Sequence, residues 1–558
     1  MFCTRPTVCF HEKCYQFRVY KVTPSFLAAT QYDFTPSTSE QRYRTRYIQQ
    51  ALARKLSSAA TWSRNLPCEL WSMIASHLLP ECATVTAQEL VHESDNISNS
   101  TLDLTQPVYA SYINIDGRYY IKSLRNSAGA KSGNGTCLLL PAQTSLKERR
   151  RANNQREMFI AGDHLGIRQV VFISPELCAQ WCRAHPVVPG VWWKHISRKA
   201  IPSAVAMISD GLKMRGAESI QTEPLDLSSR ISWHVPVLSA PAVVDLLTLQ
   251  SPRKLPNGIR MRFFDCNAPD IIGYSIGTDG ARLKAIISHK QGEMTDASSY
   301  EDASSYEDAS SYEDANSTHC FWMYMPINQG EYVTDICRRA GCLIVQTEVI
   351  GITLSTNQGR TVVFGLYGHE NVDFRRIVTL PQSPCRLHYN ALDLSADRYN
   401  VQLIGIEQNH EPPSDDAGVL PTLQVAISPG PYTQSNEPWL HTSCSMLHVI
   451  EVYPCINRTS LYQPVFGMLL HYADGHRECV GQFRRDWVAE PVSVGNSDKL
   501  FICGKRTKEC WGYVASVTCQ EPTSRSESRW LDVAQAGTLE WWFSSRHSVL
   551  YHDSNRLN

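Results

Sequence analysis

The chain has no apolar run approaching the ~18–20 residues of a membrane-spanning helix, so no helical membrane anchor is expected. Its first residues, Met1-Phe2-Cys3-Thr4-Arg5-Pro6, lack the apolar core of a secretory signal. Excess charge of either sign is missing too. Lys+Arg number 53 and Asp+Glu 54, a formal net charge of −1, which argues against broad electrostatic binding to nucleic acid or anionic membrane. Cysteine is too sparse for a disulfide scaffold: 19 residues of 558, scattered and odd in number. Without an export signal these features suggest buried thiols in a reducing compartment, cytoplasmic or nuclear. The Asn-x-Ser/Thr matches at Asn96, Asn99, Asn134, Asn316 and Asn457 then read as chance. No H-E-x-x-H, Walker A or C-x-x-C motif occurs, and Gly504-Lys-Arg-Thr507 lacks the upstream glycine of a phosphate cradle. The 18 histidines show no metal or triad spacing. No catalytic residue, metal site or cofactor is therefore expected.

What is present is a globular composition, 43% AVILMFWYC and 19% charged, over a length that suits about three or four units. Tyr47–Leu56 reads as helix, and Tyr15 to Ala28 as extended chain. A second helix follows in Asn65-Leu-Pro-Cys-Glu-Leu-Trp-Ser-Met-Ile-Ala-Ser-His-Leu-Leu-Pro80, where Leu66, Leu70, Ile74 and Leu78 recur every four residues as one apolar stripe. Pro67 suits a first turn, and Pro80 closes the helix and opens another ending near Leu90.

Beyond residue 93 the helical period gives way to short strands. Asp-Gly turns join Val108–Ile115 to Arg118–Leu124, Ile271–Gly277 to Ala281–Ser288, and Gly467–Tyr472 to His476–Phe483. Asn357-Gln-Gly359 joins Gly351–Ser355 to Thr361–Gly365. Further strands are expected at Gln169–Ile173, Arg260–Phe264, Cys320–Pro326, Gly341–Thr347, Leu423–Ile427, Met446–Tyr453, Lys499–Cys503, Gly512–Val517 and Leu539–Phe543. This spacing implies a mainly β fold of prism, barrel or sandwich units behind a small N-terminal helical module.

Several stretches stand apart. Asn126–Gln155 is Gly/Ser/Asn-rich and ends in the basic run from Lys147, which reads as solvated loop charge with nuclear import as the alternative. Asp296–Ala315 repeats Asp-Ala-Ser-Ser-Tyr-Glu three times and reads as an acidic surface loop. Cys3, Cys9, His11 and Cys14 are zinc-ligand types at poor spacing. The organisation is 1–45, an N-terminal segment; 46–92, the helices; then three β-rich regions, 93–249, 250–415 and 416–558.

The helix at Leu66–Leu78 resembles the opening of an F-box, which reads Leu-Pro-x-Glu-hydrophobic, then a hydrophobic pair, then a leucine near the helix end. F-boxes bind the Skp-family adaptor of a cullin–RING ubiquitin ligase. The resemblance implies adaptor contacts at Leu66, Pro67, Leu70, Ile74 and Leu78. Glu81–Leu90 matches the later F-box helices only weakly. Asp116-Gly-Arg-Tyr-Tyr-Ile-Lys-Ser-Leu-Arg-Asn126, Asp163-His-Leu-Gly-Ile-Arg-Gln-Val170, Pro189-Gly-Val-Trp-Trp-Lys194 and Gly537-Thr-Leu-Glu-Trp-Trp-Phe543 are similar to successive segments of uncharacterised fungal F-box proteins with a long β-rich region. In that family a Cys-rich stretch often precedes the position of Phe10–Cys14, so Cys3, Cys9, His11 and Cys14 would be its remnant.

A second resemblance lies inside the β-rich region. Gly330-Glu-Tyr-Val-Thr-Asp-Ile336, then Gly351-Ile-Thr-Leu-Ser-Thr-Asn-Gln-Gly-Arg-Thr361 with Phe364-Gly365, is similar to jacalin-type β-prism repeats. Sugar-binding members use a late Gly-x-x-x-Asp loop, whereas the match here, Gly292 to Asp296, leads into the acidic repeat. Together these resemblances imply a non-catalytic substrate receptor that docks on an adaptor and holds an unknown protein target. The alternative is a β-prism carbohydrate- or protein-binding module with a degenerate F-box.

Overall fold

The computed structural model describes residues 24–59, 66–79, 82–83, 89–90, 100–127, 136–139, 156–196, 204–219, 231–253, 255, 258–292, 320–342, 348–366, 373–393, 400–407, 426–428, 430–431, 439–458, 460–494, 497–523, 525, 528–553 and 555–557. The early Cys/His group, the basic run from Lys147 to Gln155, the acidic repeat, and most of Glu81–Leu90 lie outside these residues. Among the described residues strands take 50% and helices 15%, so the fold is mainly β with few helices. Two compact units form: residues 1–240 with 254–260, and residues 241–253 with 261–558.

In the first unit the helices are α1 (Pro24–Thr30), α2 (Thr38–Ala59), α3 (Cys68–His77) and α4 (Pro175–Ala184). The expected extended chain up to Ala28 is thus corrected at its end, where Pro24 opens α1. Glu157–Gly162 is the strand that organises this unit. It pairs with Ile167–Ile173 on one side and Trp192–Ile196 on the other, and Ile231–Trp233 extends the sheet. Side chains alternate across a strand. Met158 and Ile160 enter a core with Leu102, Val108, Ile121, Leu124 and Met207. Phe159 and Ala161 point the other way, into a core with Cys178 of α4 and Trp193. A strand buried on both faces carries a continuous apolar run, as Met158-Phe-Ile-Ala161 does.

The Val108–Ile115 and Arg118–Arg125 hairpin forms as its Asp-Gly turn predicts, with positive φ at both Asp116 and Gly117. In the second unit the expected hairpins Ile271–Thr278 with Leu283–Lys290, Glu348–Thr356 with Thr361–Phe364, and Val465–Tyr472 with Arg477–Gly481 also form. Three sets of antiparallel strands precede residue 408. Their orders are Ala242–Asp245, Leu403–Ile406, Cys385–Asn390, Ile259–Cys266; then Leu283–Lys290, Ile271–Thr278, Phe321–Pro326; then Thr361–Phe364, Glu348–Thr356, Val333–Cys342, Asp373–Thr379. Two more sheets are built from strands between Leu440 and Leu557. One hydrophobic core, from Val244 to Leu550, runs through the unit. Of the expected strand Leu423–Ile427, the described residues 426–427 are not in a strand.

Candidate functional site

Helix α3 begins directly after Pro67, whose φ of −55° and ψ of 151° set the turn into it. Pro67 therefore stands at the N-cap, one position ahead of the first turn, and its carbonyl accepts the Leu70 and Trp71 amides. The helix buries a stripe displaced by one residue from the one that the sequence period suggested. Trp71 is 7% exposed and Ala75 0%. Leu70 (41%), Met73 (60%), Ile74 (39%) and Leu78 (38%) remain exposed, and Pro67 with them, while Leu66 is half-buried. The displacement has a physical cause. Trp71 offers the largest apolar area on α3 and Ala75 the smallest bulk, so that side packs most closely. Gln49 of α2 secures the orientation by donating through Nε2 to the Ser72 carbonyl (2.9 Å) and Oγ (3.0 Å).

The structure thus brings Leu70, Ile74 and Leu78, with Met73 beside them, onto one unpacked apolar face. Isolated exposed leucines are ordinary; here the exposed set is aligned on a helix that has a separate buried stripe.

That face is tied to the β-sheet through α1 and α2. Glu40, in the first turn of α2, is 4% exposed and takes Arg118 at 2.6 Å and His164 at 3.0 Å. Burial alone would raise its carboxyl, but the His164 hydrogen bond and the Arg118 and Arg168 charges bring it below the ordinary value. Arg44, one turn on, pairs with Asp116 and bonds Tyr32. Two glycines make these approaches feasible. A Cβ on Gly117 would lie 2.4 Å from the Tyr47 ring, and one on Gly190 would lie 2.1 Å from the Glu40 carboxyl; both have positive φ. Lys213, fully buried, donates to the Ala29 carbonyl at 2.6 Å and to Asp210 at 2.8 Å. Arg215 donates to the Ala28 and Gln31 carbonyls, each at 2.6 Å, closing the end of α1. Phe34 lies under the Arg260 guanidinium at 3.7 Å. Beneath these, Tyr120 donates to buried Asp163 at 2.8 Å.

Three of the sequence segments noted for their family resemblance therefore converge here: Asp116 to Tyr120, Asp163 to Arg168, and Gly190 to Lys194. Sequence spacing alone gave no sign that they meet the helical module.

The sequence reading expects no G-x-S-x-G nucleophile motif, and Gly273-Tyr-Ser-Ile-Gly277 corrects that expectation, for it matches the pattern. Its serine does meet a histidine, with Ser275 Oγ 2.7 Å from His289 Nε2. Both residues are 0% exposed and lie within paired antiparallel strands, not on the strand-to-helix turn that presents a nucleophile. The two glycines have a packing role. A Cβ on Gly273 would strike the Tyr324 ring system at 2.3 Å, and one on Gly277 would meet Cys320 Sγ at 2.6 Å and Trp322 at 3.1 Å. The two glycines leave room for the Tyr324 and Trp322 side chains of the adjacent, hydrogen-bonded strand.

Among the described residues no group of three His, Cys, Asp or Glu could hold a metal ion, and no helix is long and apolar enough to cross a membrane. No family model matches the chain, and no curated protein matches it.

Proposed function

We propose that this chain is a non-catalytic substrate-receptor subunit of a cullin–RING ubiquitin ligase. Pro67, Leu70, Ile74 and Leu78, with Leu66 at the edge, dock on a Skp-family adaptor, and the β-rich region holds a protein target. The observation that carries this reading is the exposed Leu70–Ile74–Leu78 face on a helix whose packing needs are met by Trp71 and Ala75. A helix serving only as a brace would bury its leucines. The physics is helix-in-groove recognition by anchors one turn apart. The buried pairs at Glu40, Arg44, Lys213 and Arg215 favour it too, because a receptor must hold its docking helix at a fixed attitude to the target-binding part. The chain itself supplies position and no covalent step. Mixing purified full-length chain with a recombinant Skp-family adaptor tests the reading by co-elution.

A second reading has its own observation. The two jacalin-like segments are joined in space. Ile336 faces Leu354 in the ladder, Asn357 accepts the Tyr332 amide at 2.9 Å and donates to the Gly330 carbonyl at 3.1 Å, and Arg360 pairs with Glu331 at 2.8 Å. This pairing favours a β-prism-like module that binds carbohydrate or protein beside a degenerate F-box. Binding to an immobilised glycan panel without adaptor co-elution is its expected result.

A further inference from the structure

We propose that Cys266 and Cys385 form a reversible disulfide, making this pair a peroxide-sensitive modification site in the second unit. The two residues are direct partners across antiparallel strands Ile259–Cys266 and Cys385–Asn390, at the end of the ladder. Opposed residues in such ladders have Cα atoms about 4.5–5.5 Å apart. A disulfide accepts roughly 4.4–6.8 Å, so no strand needs to move. Both side chains lie on the inward face, since Phe264 and Leu387, two residues along each strand, are core residues. Both are free thiols, and they face one another across the ladder.

The environment divides the roles. Cys266 is 1% exposed, and burial drives its thiol well above the ordinary value, so its proton stays with it. Cys385 is half-buried, and the hydrogen bond from Cys266 lowers its own thiol. The accessible sulfur is thus the one favoured as thiolate, and thiolate is the reactive form. The backbone around the pair is fixed. The Asn267 side chain donates to the Val333 carbonyl at 2.8 Å and the Pro381 carbonyl at 2.7 Å, and accepts the Val333 amide at 2.9 Å. The Asn267 amide, next in the chain to Cys266, also donates to the Tyr274 hydroxyl at 3.3 Å.

The oxidant is hydrogen peroxide. The Cys385 thiolate attacks one peroxide oxygen; the S–O bond forms, the O–O bond breaks, and the departing hydroxide takes a proton to become water. The Cys266 sulfur, giving up its proton, then attacks the Cys385 sulfenic sulfur. The S–S bond forms, the S–O bond breaks, and the second hydroxide leaves as water. Two thiols and one peroxide yield one disulfide and two waters; sulfur is oxidised and peroxide reduced. Thiol exchange with a dithiol reverses the product.

The test uses the purified full-length chain, treated with limiting hydrogen peroxide, quenched with an alkylating agent, digested without reductant and read by mass spectrometry. The expected result is a Cys266–Cys385 crosslinked peptide as the dominant crosslink, abolished by dithiothreitol. In Cys266→Ser, dimedone is expected to trap a sulfenic acid at Cys385, and in Cys385→Ser, Cys266 is expected to stay unmodified. Circular dichroism confirms that each variant is folded, and the wild-type crosslink needs neither variant. Failure to find the crosslink in wild type overturns the proposal. So does oxidation of Cys385 no faster than that of the exposed Cys68, Cys137 and Cys510.

Discussion

Replacing Glu40 by alanine is expected to destabilise the first unit far more than a helical-surface mutation should. The carboxylate side chain is 2% exposed and its partner Arg118 is 18% exposed, so the pair is largely shielded from water. Removing one member of a buried pair leaves the other charge uncompensated, at about 3–5 kcal/mol. The residual exposure of Arg118 puts the loss at the lower end, about 3 kcal/mol. For a unit of this size that corresponds to a fall of roughly 6–12 °C in melting temperature, read by differential scanning calorimetry. Glu40→Gln keeps the volume beside Gly190 and loses the charge, so it should fall between wild type and alanine. The pH dependence follows from the lowered carboxyl. Because the folded-state value lies below the ordinary 4.5, the stabilisation is present above about pH 4.5 and is lost as pH falls through the folded value. Glu40→Ala should lack that component. A melting temperature within about 2 °C of wild type would refute the claim that this pair anchors the helical module.

Leu70→Glu should change stability by no more than about 0.5 kcal/mol, whereas Ala75→Glu, at a fully buried position, should cost several times as much, measured by urea unfolding. In the second unit, burial alone would raise the Glu540 carboxyl, but the hydrogen bonds from His441, Ser428 and the Ile427 amide bring it to about 2. Its contribution, on the order of 3 kcal/mol, is present above about pH 4.5 and lost as pH falls toward 2. Acid titration of Glu540→Gln should show a shallower loss, and an unchanged titration would contradict the assignment. Ser275→Ala removes the hydrogen bond to buried His289 and should lower stability by about 0.5–1.5 kcal/mol; unchanged chemical denaturation would refute the structural role given to the serine.

The hairpins were legible because Asp-Gly and Asn-x-Gly carry their geometry locally, in residues that accept positive φ. Helix α4 was legible in principle, with Ser174 and Pro175 at its start and Glu176 in the first turn, a signal the strand-rich surroundings obscured. Helix α1 was not, because it is seven residues long and its final carbonyls are closed by Lys213 and Arg215, remote in sequence. The same applies to the docking face. Four-residue periodicity identified an apolar stripe at Leu66, Leu70, Ile74 and Leu78, but could not say that Trp71 and Ala75 would take the buried side. Which of two adjacent stripes packs depends on side-chain volume against α2, and that is a tertiary property. The G-x-S-x-G pattern makes the converse point: a local motif carried chemistry only in appearance, because its strand context encloses the serine.

The proposed docking of the exposed α3 face on a Skp-family adaptor predicts a measurable affinity. It is tested most directly by measuring the affinity of the full-length chain for purified adaptor, beside Leu70→Glu, by isothermal titration calorimetry. A carboxylate placed in a desolvated interface costs several kcal/mol, and a loss of ~4 kcal/mol weakens binding about a thousandfold. The expected result is saturable one-to-one binding by wild type and its loss in Leu70→Glu, with the melting temperature unchanged. No binding by wild type, or equal binding by both proteins, would contradict it.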